Sequence, residues 1–138
     1  MKWKVTGFLA LFVVILVACQ SEQELEFARY YSGGSVVYQS KCQNCHGSDG
    51  KGLAALIPAL TNQVNLKANK SSLACLVKYG SKTHTINPAG KTFGGEMPAT
   101  DLPNVDIAKV LTYATNSFGN KLGTITTQQI ENDLKACK

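Results

Sequence analysis

The clearest alternation of apolar and polar positions lies in residues 103–119. Apolar side chains recur there at spacings of three and four, which places them on one face of a helix: Ile107, Val110, Leu111 and Ala114. Pro103 suits the first turn of such a helix, because no backbone N–H is needed there. Gly119 suits its end. The pattern predicts a helix whose apolar face is buried against the rest of the protein.

Three further segments predict helices from apolar residues flanked by capping residues. "GSVVYQSKCQNC" predicts a short helix that is capped near Ser35 and ends near the glycines of "HGSDGKG". "SSLACLVKYG" predicts a second helix, with a serine cap at its start and Gly80 at its end. In "TTQQIENDLKAC", Thr126 and Gln129 form a capping-box pattern that opens a short helix near the end of the chain.

The segments between these helices carry few regular patterns. Residues 20–33 are typical of a polar tether, residues 53–69 of irregular chain interrupted by Pro58, and residues 81–101 of a loop rich in glycine and proline. Almost no strand signal is present, so the sequence predicts an all-α protein of short helices and long loops. Because long structureless loops are uncommon in compact domains, we expect the chain to wrap around another group that supplies part of its core.

The N-terminus predicts an export signal. Lys2 and Lys4 precede an apolar run, residues 5–18, that is shorter than the roughly 20 residues a membrane-spanning helix needs. The run ends in "LVAC", which resembles the lipobox of bacterial lipoproteins and implies cleavage before Cys19 and acylation of that cysteine. An ordinary export signal and an uncleaved anchor are the alternatives. Three parts follow along the chain: a lipoprotein signal peptide (1–18), a lipidated N-terminus with a tether (19–33) and one domain (34–138).

The charge of the exported chain is mild. Without Lys2 and Lys4 it has 12 basic and 9 acidic residues, a formal charge of +3. The lysines are scattered and Arg29 is the only arginine, whereas proteins that bind nucleic acid usually carry clustered basic residues. We therefore expect no nucleic-acid partner.

The segment "KCQNCHGSDGKG" carries the strongest chemical signal. Residues three and four apart share one face of a helical turn, so Cys42, Cys45 and His46 can reach a single group. The pattern C-x-x-C-H is the attachment signal of a c-type haem, which forms thioether bonds to both cysteines and takes the histidine as an iron ligand.

Two other chemistries compete for this motif. A zinc site needs a second ligand cluster, and the remaining candidates Cys75, Cys137 and His84 stand apart from one another. A thioredoxin-like dithiol needs a βαβ context, for which the chain lacks strands. If Cys19 is lipidated and a haem takes the motif's two cysteines, Cys75 and Cys137 remain. Exported thiols are oxidised, so this pair has the right parity for one disulfide.

The second axial position of a haem iron has one methionine candidate. Met1 is the start residue, and Met97 lies in the loop "GGEMPATDLP", whereas a methionine that merely fills a core usually lies on an apolar helix face. Electron-transfer haems take methionine or histidine there. His84 in "KTHTINP" is the competitor, but a loop histidine among polar neighbours is more often solvent-exposed. We expect Met97 to be the ligand.

Together these segments resemble a class I monohaem cytochrome c of the bacterial type. The resemblance rests on "GSVVYQSKCQNCHGSDGKG", "MPATDL" and "IAKVLTYATNSFGN" and covers about residues 34–119. It implies the cytochrome c fold, in which short helices and long loops wrap around one covalent haem. It also implies that the first and last core helices cross through Gly34, Tyr38 and Tyr113, and that the Pro58 carbonyl accepts a hydrogen bond from the proximal histidine.

The resemblance implies a one-electron carrier rather than an enzyme. Haem c with histidine and methionine ligands would pass electrons between redox proteins, and the lipid on Cys19 would tether the carrier to the cell membrane or outer membrane, facing the periplasm. One alternative is a haem enzyme, or a gas- or peroxide-reactive haem with a displaceable methionine. Another is a permanent cytochrome subunit of a larger oxidase or dehydrogenase.

Two features depart from the family pattern. Glu96 directly precedes the expected methionine ligand, and a carboxylate buried there would lower the haem potential. The tail after Asn120 lies outside the core pattern, and a Cys75–Cys137 disulfide would fasten it to the middle helix.

Overall fold

The computed structural model describes residues 22–84 and 86–137. The helices in this part of the chain are α1 (Glu22–Lys41), α2 (Gln43–His46), α3 (Gln63–Ala68), α4 (Lys70–Tyr79), α5 (Asn104–Ala114) and α6 (Thr127–Lys135), with a 3₁₀ turn at Pro88–Gly90. The described residues form no β-strand, only an isolated bridge between Leu53 and Ile57. The all-α prediction is confirmed.

The expected signal peptide and the lipidation of Cys19 lie outside the described residues. Among residues 22–84 and 86–137, no helix has both the length and the apolar character needed to cross a bilayer.

Helix α1 is longer than the sequence predicts. It is already helical at Glu22, the first described residue, so the start predicted near Ser35 is wrong, and residues 22–33, expected to be a tether, are helical.

Two tyrosines attach the early part of α1 to the second half of the chain. The Tyr30 hydroxyl lies 2.9 Å from Thr127 Oγ1, and the Tyr31 hydroxyl lies 3.0 Å from Ser117 Oγ. These long-range contacts favour helix through two adjacent glycines, whose low helix propensity suggests a break when the sequence is considered alone.

The crossing of α1 and α5 forms one half of the core. Gly34 is buried, and a Cβ placed on it would overlap the backbone carbonyl of Lys109. The ring of Tyr38, 1% exposed, lies 5.2 Å from that of Tyr113 and 5.4 Å from that of Phe118. The helix crossing implied by the family resemblance is therefore present, and only glycine permits so close an approach.

Helices α3 and α4 follow each other with a single residue between them. Helix α3 falls within residues 53–69, so the expectation of irregular chain throughout that segment is wrong. The side chain of Asn62 caps α3 by accepting a hydrogen bond from the Asn65 N–H at 3.1 Å, a local signal that favours helix. Helix α4 begins at Lys70, just before the predicted serine caps, and it ends at Gly80 as predicted.

The C-terminal end of α5 differs from the sequence prediction, whereas the N-terminal end of α6 agrees with it. Helix α5 ends at Ala114 rather than at Gly119; the chain beyond it turns, with Phe118 at φ 57° and its ring against the helix crossing. Helix α6 begins as predicted: Thr126 Oγ1 accepts a hydrogen bond from the Gln129 N–H at 3.2 Å.

The tail of the chain packs against the rest of the core. Ile125 and Ile130 are 1% and 0% exposed. The Thr112 hydroxyl accepts from the Ile125 N–H at 2.9 Å and lies 3.2 Å from the carbonyl of the same residue. In the structure a disulfide joins Cys75 of α4 to Cys137, just beyond α6. The tail is thus held by apolar burial, hydrogen bonds and one covalent link.

Candidate functional site

The helices and loops enclose an apolar cavity of about 350 Å³. Its helical walls are apolar side chains: Leu66, Leu73, Leu76, Val77, Val110 and Leu111. This volume falls in the usual range for cofactor and ligand sites. The chain therefore wraps around an apolar space, as expected for a protein in which another group supplies part of the core.

Two thiols and an imidazole line this cavity from one turn of the chain. Cys42 follows α1, and its N–H still donates to the Tyr38 carbonyl at 2.9 Å; the His46 N–H donates to the Cys42 carbonyl, also at 2.9 Å. Cys42 and Cys45 are free thiols. Because this continuous turn presents Cys42, Cys45 and His46 to one volume, they can all bond to a single planar group.

The Pro58 carbonyl fixes the tautomer of His46. His46 Nδ1 lies 3.3 Å from the Pro58 oxygen, which can only accept, so Nδ1–H donates and Nε2 keeps its lone pair. Burial lowers the pKa of His46, although the hydrogen bond to Pro58 acts in the opposite direction. The imidazole is thus neutral and able to bind a metal ion, with its ring orientation set by the backbone.

A glycine allows the Pro58 carbonyl to come this close. Gly52 has φ 66°, and a Cβ on it would lie 2.7 Å from the Pro58 oxygen and would overlap the Ile57 carbonyl. The Gly52 N–H also donates to the His46 carbonyl at 2.9 Å. Gly52 therefore has a defined role, which is to let two stretches of backbone meet beside the histidine.

Met97 lines the same cavity from the distant loop 81–101 and packs against the core. His84, the competing ligand in the sequence, does not line it; its ring lies 5.3 Å from that of Tyr79. The Glu96 side chain is 51% exposed and forms an ion pair with Lys82 at 3.2 Å. The Glu96 carboxylate is therefore not buried by the protein, although the residue also lines the cavity.

Among the described residues, no group of three or more His, Cys, Asp or Glu side chains is placed to hold a metal ion. Burial raises the pKa of the Cys42 thiol and the nearby Cys45 raises it further, whereas redox-active dithiols have a lowered thiol pKa. A planar apolar cofactor that bonds to two thiols and offers a metal to His46 and Met97 fits every one of these side chains.

Two supporting residues were missed from the sequence. Asn120, 2% exposed, donates from Nδ2 to the Leu60 carbonyl at 2.6 Å, and the Leu60 N–H donates to Gly50 at 2.7 Å, which braces the loop that carries Pro58. Ser81 forms hydrogen bonds with the backbone of Met97. Both contacts are long-range, and no local pattern in the sequence signals them.

Comparison with known proteins agrees with this geometry. The sequence model of the family described as "Cytochrome c" matches residues 31–116. The cytochrome c subunit of a quinone alcohol dehydrogenase from Gluconacetobacter polyoxogenes is 30% identical over 99 residues, which are 70% of this chain and 21% of that protein. The fructose dehydrogenase cytochrome subunit of Gluconobacter japonicus is 30% identical over 105 residues, with 71% and 21% coverage.

The chain spans about a fifth of the length of these relatives. The matched family segment nevertheless contains both thiols of the motif, His46, Pro58 and Met97. The chain belongs to the cytochrome c family, and its cofactor is a covalently bound c-type haem that transfers electrons.

Proposed function

We propose that this protein is a membrane-tethered one-electron carrier with a haem held by Cys42 and Cys45 and ligated by His46 and Met97. The observation that carries the proposal is that these four side chains, from two distant segments, line one apolar cavity. When bound, the haem supplies an iron that alternates between its ferric and ferrous states. With both axial positions taken by side chains, no position remains for a substrate, which favours a carrier over an enzyme.

The protein's own residues would hold the haem, orient its histidine ligand and shield it from water. Cys42 and Cys45 would hold the porphyrin by thioether bonds, and Pro58 keeps the proton of His46 on Nδ1. The apolar helix walls would exclude water from the bound group. A thioether ligand raises the potential of the iron relative to a second histidine.

Cys45 lines the cavity and is exposed, so a haem bonded to it would offer partners a route for electrons on this side of the protein. Lys41 is exposed beside the motif, and the exported chain has a mild positive charge. We infer that redox partners dock at this surface with an acidic patch of their own, and that the affinity of the encounter falls as salt is added. The relatives are named as cytochrome subunits of dehydrogenases, so a dehydrogenase is the class of electron donor we propose.

Spectra of the ferric haem protein test the ligation. We expect the long-wavelength methionine–iron charge-transfer band in the wild type, its loss in Met97→Ala, and its retention in the matched control His84→Ala. A five-coordinate, high-spin wild type would overturn the proposal and favour a ligand-binding or catalytic haem.

The anchoring proposal rests on the sequence of residues 1–19. It holds that the signal peptide 1–18 is removed, that Cys19 is acylated and that the domain faces the periplasm. In Cys19→Ser, we expect the haem protein to move from the membrane fraction to the soluble periplasmic fraction and to lose incorporation of labelled fatty acid. Equal membrane retention and labelling in both proteins would contradict it.

A further inference from the structure

The end of α4 contacts the segment that carries Met97. Gly80 ends the helix with φ 79°, and the chain then turns toward the cavity. The Ser81 N–H donates to the Met97 carbonyl at 2.9 Å, and the Met97 N–H donates to Ser81 Oγ at 2.8 Å. A single residue therefore forms hydrogen bonds with both backbone polar groups of Met97.

The backbones meet closely at this point. A Cβ on Gly80 would lie 2.7 Å from the Met97 carbonyl oxygen and 2.7 Å from the Ala99 nitrogen. Just beyond, the Thr100 hydroxyl donates to the Val77 carbonyl at 2.9 Å. The segment from Met97 to Thr100 is thus laid along the C-terminal end of α4, with Ser81 as its contact at Met97.

The rest of this loop has little regular structure. Between Gly80 and the start of α5, the described residues contain only the 3₁₀ turn at Pro88–Gly90. A thioether is a neutral ligand, so no charge attraction holds it in place. Its availability therefore depends on how well the backbone beneath it is fixed.

We propose that Ser81 is the positioning residue for Met97: its hydroxyl and N–H hold the methionine backbone at the distance and orientation from which the thioether reaches the iron. This inference rests on the proposed ligation by Met97. Ser81 acts on the iron through Met97, by making the departure of the methionine from the iron less favourable.

Binding of imidazole to the ferric haem protein tests this, because imidazole competes with Met97 for the iron. Ser81→Ala removes the acceptor for the Met97 N–H and leaves the backbone N–H bond in place. Loss of one such hydrogen bond predicts about a fivefold increase in imidazole affinity. The charge-transfer band should disappear at correspondingly lower imidazole concentration.

Thr83→Val is the matched control. The Thr83 hydroxyl bonds to the Tyr79 carbonyl at 2.9 Å, at the same end of α4. We expect this variant to bind imidazole like the wild type, even if its unfolding midpoint falls as far as that of Ser81→Ala.

The outcomes separate the two proposals. The role of Ser81 would be overturned if Ser81→Ala bound imidazole with wild-type affinity, or if Thr83→Val showed an equal increase in imidazole affinity. In either case, loss of the charge-transfer band in Met97→Ala would still support ligation by Met97. Absence of the band from the wild type, or its persistence in Met97→Ala, would overturn the ligation itself.

Discussion

Replacing Cys75 and Cys137 together with alanine tests how strongly the tail stabilises the haem cavity. The disulfide links residues 62 positions apart. Cross-linking a loop of this length lowers the entropy of the unfolded chain by an amount worth about 4 kcal/mol at 25 °C. A haem bonded to Cys42 and Cys45, which lie within one helical turn, would not close this loop. We therefore expect the double variant to lose about that much free energy of unfolding.

Denaturation by guanidinium chloride, followed by haem absorbance and far-ultraviolet circular dichroism, measures the effect. For a protein of this size the expected shift in midpoint is about 1 M toward lower denaturant. Wild-type protein under mild reduction should approach the double variant.

Alkylation of unfolded, unreduced protein provides the control on the bond itself. We expect no thiol to be labelled in the wild type before reduction. An unshifted midpoint in the double variant, with the wild-type thiols protected, would refute the reasoning about loop closure; two labelled thiols would refute the disulfide.

Four further variants test packing, hydrogen bonding and charge. Gly34→Ala should lower the free energy of unfolding by about 1–3 kcal/mol, because its Cβ meets the Lys109 backbone. Gly33→Ala, whose Cβ meets only the flexible Lys109 side chain, should be neutral or stabilising in the same thermal melts. Asn120→Ala should cost about 1–3 kcal/mol in denaturant titrations, since the Leu60 and Ala114 carbonyls lose their donor. Glu96→Gln should change stability by less than about 1 kcal/mol, because its ion pair with Lys82 is exposed, and redox titration should show little change in potential. A large potential shift would contradict the exposed placement of Glu96.

The local features of the site could be predicted from the sequence. The C-x-x-C-H motif forms one turn because its spacing is helical, Gly80 ends α4, and Thr126 caps α6. Each of these depends on residues at most a few positions apart. The interactions that stabilise these features therefore involve only neighbouring residues and can be recognised without knowledge of the rest of the fold.

The features that depend on distant partners could not be predicted. The crossing of α1 and α5 at Gly34 was expected only from the family resemblance, because no local pattern shows that a missing side chain there allows the two helices to approach. Helix α1 extends back at least to Glu22, and Tyr30 and Tyr31 on this early part bond to hydroxyl partners 97 and 86 residues away. Asn120 is similar: only the fold brings it to the Leu60 carbonyl.

If Cys19 is lipidated, the length of α1 limits how far from the membrane surface the haem can lie. At about 1.5 Å per residue, its 20 residues form a rod of about 30 Å that runs directly into the turn bearing Cys42. If Cys19 carries lipid, only Gln20 and Ser21 separate the anchor from this rod, a span of at most about 7 Å. Because this linker is so short, the haem domain of the carrier would stay within a thin layer above the bilayer. Its partners would have to present their redox centres within that layer, and the high local concentration there would compensate for weak docking.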